Sequence, residues 1–385
     1  MTNQLTNRII PRTLDLSAKL ALHSCFLFGP RMTGKSTLIR ETLRDAVIFD
    51  LLSSDDFFPL IANPKSLENA ILQDTEIVVI DEIQKAPQLL DEVHRLIETR
   101  KVRFLLTGSS ARKLRRGGVN LLGGRAETIH FHPLLARELG DDFNLGRALR
   151  YGTLPFVYMS EEPRQTLRNY VGTYLQEEIA AEGSVRNLPA FARFLDLAAH
   201  CNATIVNFAN LASDAQVPRT TVHGYFEILR DTLILFELPA LRQVSRRKPT
   251  VKSKYYFFDI GVATAIQKQG SHRLMQREGF SFETWLLHEL RSWIDYSDRD
   301  EKLQYWKSQS GYEVDFLIGD HTAIEVKAKS HVGNRDLRSL RALMDEHSFK
   351  NHICVCLESR SLHREGIDIL PFDVFLENLW EGAYS

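Results

Sequence analysis

The chain has 385 residues, 48 of them lysine or arginine and 49 aspartate or glutamate, for a formal net charge of −1. At about 100–200 residues per domain this length implies two or three domains. The 44% hydrophobic and 25% charged fractions exclude wholesale disorder, and four cysteines are too few for a disulfide framework. Near-zero net charge excludes a uniformly basic coat but not a local basic patch. No apolar run reaches the roughly 18–20 residues of a membrane helix. The stretch Leu20–Pro30 is interrupted by His23 and starts too late for a signal peptide. A reducing, cytoplasmic setting with no membrane partner is therefore expected.

In chain order, residues 1–140 read as an α/β domain. Cys25–Phe28, Ile77–Ile80 and Phe104–Leu106 are apolar on both faces and end in polar or glycine turns, as buried parallel strands do. Helical stretches at Ser36–Asp45 and Gln88–Arg100 alternate with them, which predicts a sheet with helices on both faces. Gly29-Pro30-Arg31-Met32-Thr33-Gly34-Lys35-Ser36 follows the first strand with the phosphate-loop spacing G-x-x-x-x-G-K-[ST], and Thr37 carries it into the helix. Its glycines allow backbone N–H groups to close around phosphates, and the helix N-terminus adds a field that favours anions. Lys35 would reach the β- and γ-phosphates and Ser36 would ligate Mg²⁺, so ATP and Mg²⁺ are the expected cofactors.

Asp81 and Glu82 end the second strand, the edge at which ligands bind in open α/β sheets. Asp81 would hold the Mg²⁺, directly or through water, and Glu82 would act on the attacking water as general base. After the third strand, Thr107 or Ser109 would orient that water or sense the γ-phosphate. Arg112, Lys113, Arg115, Arg116 and Arg125 come next. One of them, with Arg125 favoured, could serve as an arginine finger across a subunit interface; the alternative is a solvated basic loop.

Residues 141–254 read as largely helical. Tyr170–Ala181, Leu188–His200, Phe208–Ala215 and Arg219–Leu229 have helical spacing, the last two joined by Gln216, Val217 and Pro218, and the β-rich run Leu233–Leu238 follows. Helix, short turn, helix, then strands is the order of a winged helix-turn-helix. Arg219, Thr220, Thr221, His223 and Tyr225 would lie early on its second helix, where side chains meet base edges. The basic stretch Arg242–Lys254 would suit a wing that meets phosphates. Docking to protein is the alternative use of such a module.

Residues 255–385 read as a second α/β domain: a strand at Tyr255–Phe258, a helix at Phe280–Ile294, strands at Gln304–Trp306, Val314–Ile318, Ala323–Lys327 and His352–Leu357, and helices at Asn334–Met344 and Asp373–Trp380. Asp315 sits inside an apolar strand. Glu325 and Lys327, two apart on the next strand, share a face. Glu283 on the preceding helix can add a carboxylate, and Gln309 can approach. A buried carboxylate costs free energy unless a cation or solvent is near; a surface ion pair is the alternative. His130 and His132, and Cys354 and Cys356, lack a matching second pair with zinc spacing and read as alternating strand positions.

The Gly29–Ser36 loop, the Ile77–Lys85 segment and the Leu106–Ser110 strand resemble those of an AAA-type ATPase. More narrowly, the chain resembles a widespread prokaryotic family in which such a domain precedes a winged helix and a C-terminal domain of unknown function. Further marks are Gly152-Thr-Leu-Pro155, the Tyr170–Tyr174 helix, Lys254-Tyr-Tyr-Phe-Phe-Asp259-Ile-Gly261 and Tyr312-Glu-Val-Asp315-Phe. The C-terminal pattern resembles the PD-(D/E)xK, or restriction-endonuclease-like, core. That resemblance implies Mg²⁺ on Glu283, Asp315 and Glu325, with Lys327 positioning or activating water, although Val314 replaces the usual proline. The resulting expectation is a P-loop NTPase of AAA type that hydrolyses ATP and couples nucleotide state to DNA. A nucleotide-controlled switch that grips a protein or nucleic acid without cutting, and an ATP-gated Mg²⁺-dependent nuclease, are the alternatives. A homo-oligomer is plausible on the same resemblance.

Overall fold

The computed structural model describes residues 8–110, 122–175, 185, 187–241, 252–267 and 274–384. The basic residues Arg112, Lys113, Arg115 and Arg116, and residues 242–251 of the basic connector, lie outside them. The chain forms two compact units. One is built from residues 1–143, 153–188 and 224–234, the other from 144–152, 189–223 and 235–385.

The first unit holds a five-stranded sheet of β1 (Ser24–Phe28), β2 (Val47–Asp50), β3 (Ile77–Asp81), β4 (Arg103–Gly108) and β5 (Ala126–His130). The order is β2-β3-β4-β1-β5 and every pairing is parallel. Phe26, Phe28, Val78, Ile80, Phe104 and Leu106 form its core with Leu89, Leu90, Val93 and Leu96 from the helix Leu89–Arg100. That helix buries one apolar stripe, and each such side chain removed from water contributes about 1.5–3 kcal/mol. Of the two edge strands, β5 is indicated in the sequence only by His130 as a strand position, and β2 is not foreseen. In β2 only Val47 and Phe49 pack against the core while Ile48 is exposed, so its four residues carry too little pattern to read. Because β4 lies between β1 and β3, the ends of all three strands meet at one sheet edge.

The second unit contains two sheets. The smaller, of β6 (Thr204–Ile205), β7 (Leu235–Leu238) and β8 (Lys254–Phe257), is antiparallel in the order β6-β8-β7. The helix Leu188–His200 precedes β6. Between β6 and β7 run the helix Phe208–Ala215, capped by the Asn207 side chain, and the helix Arg219–Asp231, whose first turn belongs to this unit. The larger sheet has β9 (Leu303–Lys307), β10 (Glu313–Ile318), β11 (Thr322–Lys327), β12 (Asn351–Cys356), β13 (Leu362–Arg364) and β14 (Ile367–Pro371) in the order β13-β14-β12-β11-β10-β9. It is mixed: β9, β10 and β11 are antiparallel neighbours, β11, β12 and β14 parallel ones. The helices Leu274–Tyr296, Arg338–Glu346 and Phe372–Trp380 accompany it, and Leu340, Leu343, Val314, Leu317, Cys354 and Cys356 share one core.

Two glycines in this unit are fixed by close approach. The helix Leu145–Tyr151 meets the helix Ile260–Ile266 so tightly that a Cβ on Gly261 would overlap the Tyr151 carbonyl. A Cβ on Gly152, whose φ is +74°, would overlap the Asp259 carboxylate. Asp259 is itself tied down: its Oδ1 accepts the Val262 N–H at 3.0 Å and caps the second helix.

Candidate nucleotide site and a buried ion cluster

The phosphate loop leaves β1 and turns into the helix Lys35–Thr42 through Gly34, whose φ of +97° is left-handed. Gly29 is set by sterics: its Cβ would overlap the carbonyl oxygen of Phe131. The loop is cross-braced from within and without. Thr33 Oγ1 donates to the Pro30 carbonyl at 2.8 Å. The Arg12 guanidinium donates to the Thr33 carbonyl at 2.8 Å and the His132 carbonyl at 2.7 Å, while its Nε pairs with Glu138 at 2.9 Å, both side chains being buried. The Tyr170 hydroxyl reaches the Arg31 carbonyl at 3.4 Å. Lys35 is buried, and its Nζ donates to the Gly29 carbonyl at 2.6 Å and the Pro30 carbonyl at 3.1 Å. Met32 is exposed.

Ser36 Oγ donates to Asp81 Oδ2 at 3.2 Å, and Thr107 Oγ1 donates to the other oxygen of Asp81. Glu82 is buried and has a left-handed backbone, φ +62°, unusual for a residue with a Cβ. Gln84 Nε2 donates to the Glu82 carboxylate and to Ser109 Oγ at 3.2 Å; Arg31 Nη2 stands 3.8 Å from Glu82. Burial raises Glu82 above the usual carboxylate range, with Arg31 and Lys35 opposing it. The structure thus gathers Lys35, Ser36, Asp81, Glu82, Thr107 and Ser109 at one sheet edge. Arg125 does not join them. It precedes β5, which pairs with the start of β1 at Ser24, and it ion-pairs with Glu98. At about 3.3 Å per residue, the length of β1 puts it about 15 Å from the loop.

Mg²⁺ is commonly held by one or two protein oxygens together with phosphate and water. The hydroxyl of Ser36 and the carboxylate of Asp81, already in contact, are a donor set that fits it.

The second cluster lies within the second unit. Asp315 on β10 faces Glu325 on β11 by the antiparallel register, and Asp315 Oδ2 accepts the Val326 N–H at 2.9 Å. An extra residue on β10 opposite β9 shifts the register there. Lys327 Nζ donates to Glu325 Oε1, and Glu325 Oε2 is buried with no hydrogen-bond partner. Lys254, at the head of β8, lies among the acids with its Nζ 3.1 Å from Glu283, 2.6 Å from Glu313 and 3.7 Å from Asp315. Tyr256 donates its hydroxyl proton to Glu283 at 2.6 Å, and Lys307 donates to Glu313 at 2.8 Å. Burial and then the Asp315 charge push Glu283 up to about 7. Burial alone would lower the Lys254 ammonium, but Glu283, Asp315 and Glu313 raise it instead. Gln309 is exposed. Among the described residues, no three His, Cys, Asp or Glu side chains converge to hold a metal ion.

Sequence reasoning passed over Arg12, Gln84, Glu313, Tyr256 and the burial of Lys254. A signal existed for the last: Lys254 heads the otherwise apolar strand Lys254–Phe257, and a two-residue period puts it on the face of Tyr256. At the helix-turn-helix, Arg219, Thr220 and His223 are exposed, but Tyr225 is buried, because it falls on the apolar stripe of its helix with Val222 and Phe226.

Residues 23–140 match the family model described as AAA domain. Residues 143–273 and 278–375 match two models described as domains of unknown function, DUF8612 and DUF4143. Uncharacterized proteins of Mycobacterium bovis and Mycobacterium tuberculosis are each 28% identical over 350 residues, covering 86% of this chain and 77% of their own length. Among solved structures, the DNA clamp loader delta protein of Bacillus subtilis covers 57% of this chain and 88% of its own at 15% identity, with a TM-score of 0.25. No helix among the described residues is long and apolar enough to cross a membrane. The match over residues 23–140, with its parallel sheet and phosphate loop, is consistent with a P-loop NTPase of AAA type.

Proposed function

We propose that this protein binds ATP with Mg²⁺ on the loop Gly29–Thr37, hydrolyses it with Glu82 as general base, and uses the nucleotide state to govern engagement of DNA. The observation that carries the ATPase reading is the meeting of Lys35, Ser36, Asp81 and Glu82 at the carboxyl edge of one parallel sheet. On this reading Lys35 Nζ exchanges the Gly29 and Pro30 carbonyls for phosphate oxygens. Ser36 and Asp81 would hold the Mg²⁺, which supplies charge neutralisation when bound. Glu82 takes the proton of the attacking water, and Gln84 and Ser109 fix its carboxylate. Arg125, far from the loop of its own chain, would serve the nucleotide of a neighbouring subunit in a homo-oligomer. Lys35→Ala should reduce ATP turnover at least about 100-fold; a phosphate-release assay showing unchanged turnover would overturn the assignment.

The DNA part is supported by the two helices Phe208–Ala215 and Arg219–Asp231 and the sheet order β6-β8-β7, which we read as a winged helix. Arg219 and Thr220 are exposed at the start of its second helix. Arg219→Ala should weaken binding of double-stranded DNA and flatten its salt dependence, read by fluorescence anisotropy at several salt concentrations. Affinity untouched by Arg219→Ala would remove this surface from the reading. No binding to any nucleic acid would make a protein the partner. We read the nuclease-like domain as a gripping module, for the reason that follows.

A further inference from the structure

The residues of the C-terminal cluster do not fit a divalent metal. Mg²⁺ requires oxygen ligands at about 2.0–2.1 Å in near-octahedral order, and most of the oxygens that would supply them are already engaged by ammonium, hydroxyl or backbone N–H donors. Glu283 Oε1 accepts from Lys254 and from Tyr256. Both oxygens of Glu313 are paired, one with Lys254 and one with Lys307. Asp315 Oδ1 faces Lys254, and Oδ2 takes the Val326 N–H. Glu325 Oε1 is held by Lys327, and only its Oε2 is unengaged. Four carboxylates therefore face three ammonium groups, a nearly balanced set without any added charge.

The lysine is built into this position. Its side chain is 3% exposed, so it cannot swing into water without breaking the packing around it. An ammonium carries three donors and no acceptor, and three carboxylates surround this one. Its Nζ lies over the Tyr305 ring, 5.4 Å from the ring centre. A divalent ion at the same point would put two unscreened positive centres in contact, which a buried site does not tolerate.

We propose that the Lys254 ammonium is the resident cation of this acidic cluster, filling the place of a divalent metal and leaving the domain a nuclease-like module that does not cut. The inference deepens the reading of that domain as a gripping module and is independent of the ATPase, since it is tested by metal binding without nucleotide. Removing the lysine leaves Glu283, Glu313 and Asp315 without the ammonium they share, so the same change should draw another cation into its place.

The experiment is Mn²⁺ titration of the full chain, followed by electron paramagnetic resonance in the absence of nucleotide, with Asp81→Asn marking any Mn²⁺ held at the phosphate loop. The wild type and Asp315→Asn should bind Mn²⁺ alike. Lys254→Ala should gain a site at least about tenfold tighter than any in the wild type, and Lys254→Ala/Asp315→Asn should lose it. Thermal melts establish that each variant is folded. If Lys254→Ala does not fold, the comparison of wild type with Asp315→Asn decides alone, with Glu283→Gln as its replicate. Wild-type Mn²⁺ binding weakened by either acid substitution would overturn the proposal, as would a folded Lys254→Ala that gains no site.

Discussion

Replacing Glu82 with glutamine is expected to slow ATP hydrolysis by about 10²–10⁴-fold, the usual contribution of a positioned general base, while leaving ATP binding little changed. Glutamine keeps the shape of the side chain, so the contact to Gln84 and the left-handed turn at position 82 can persist. It cannot accept a proton. Steady-state phosphate release at saturating ATP, set beside fluorescent-nucleotide affinity, separates the two effects. The pH profile adds a second readout. Burial holds the proton on Glu82 above the usual carboxylate range, and the base must be ionised to work. The wild-type rate should therefore fall, as pH is lowered, at a higher pH than an exposed glutamate would dictate, and Glu82→Gln should lack that limb. A variant that turns over at the wild-type rate would leave Glu82 with a purely structural place in the turn.

Gly261→Ala should cost the second unit about 3 kcal/mol or more, at or beyond the upper end of overpacking substitutions, because the obstacle is the Tyr151 backbone carbonyl and not a side chain that can rotate away. Against a total stability of about 5–15 kcal/mol this is severe, and it should lower that unit's melting temperature by roughly 6–12 °C. Gly279 on the helix Leu274–Tyr296 of the same unit is the control, since a Cβ there meets nothing within 4 Å. Gly279→Ala should be neutral or stabilising by up to about 1 kcal/mol. Equal melting temperatures for the two variants would show that the helices Leu145–Tyr151 and Ile260–Ile266 separate readily.

The parts of this molecule that could be read in sequence are those whose chemistry is contiguous. Gly29 to Ser36 encode a strand exit, a loop and a helix start within eight residues, and Ile77–Glu82 join an apolar strand to its two acids. The parts that could not be read are settled by neighbours distant along the chain. Nothing near Arg12 announces that its guanidinium will meet Thr33 and His132. Gly29 looks like a loop glycine, but its constraint comes from the Phe131 carbonyl. Lys254 closes a run of basic residues and reads as part of a solvated wing; the carboxylates that surround it come from a helix and from β10, 29 to 61 residues later in the chain. Edge strands such as β2 and β13 carry four and three residues, too few for a period to show, and exist because a neighbouring strand offers its edge.

The bracing of the phosphate loop also bears on how portable the ATP-binding capacity is. A fragment trimmed to residues 23–140 would keep every residue of the loop and both Asp81 and Glu82, yet it would lack Arg12, which holds the Thr33 carbonyl, and Tyr170, which reaches that of Arg31. The stretch that the family match outlines is thus smaller than the set of residues that braces the loop. Grafted or expressed alone it would carry the motif and its strands without two of the side chains that brace the loop.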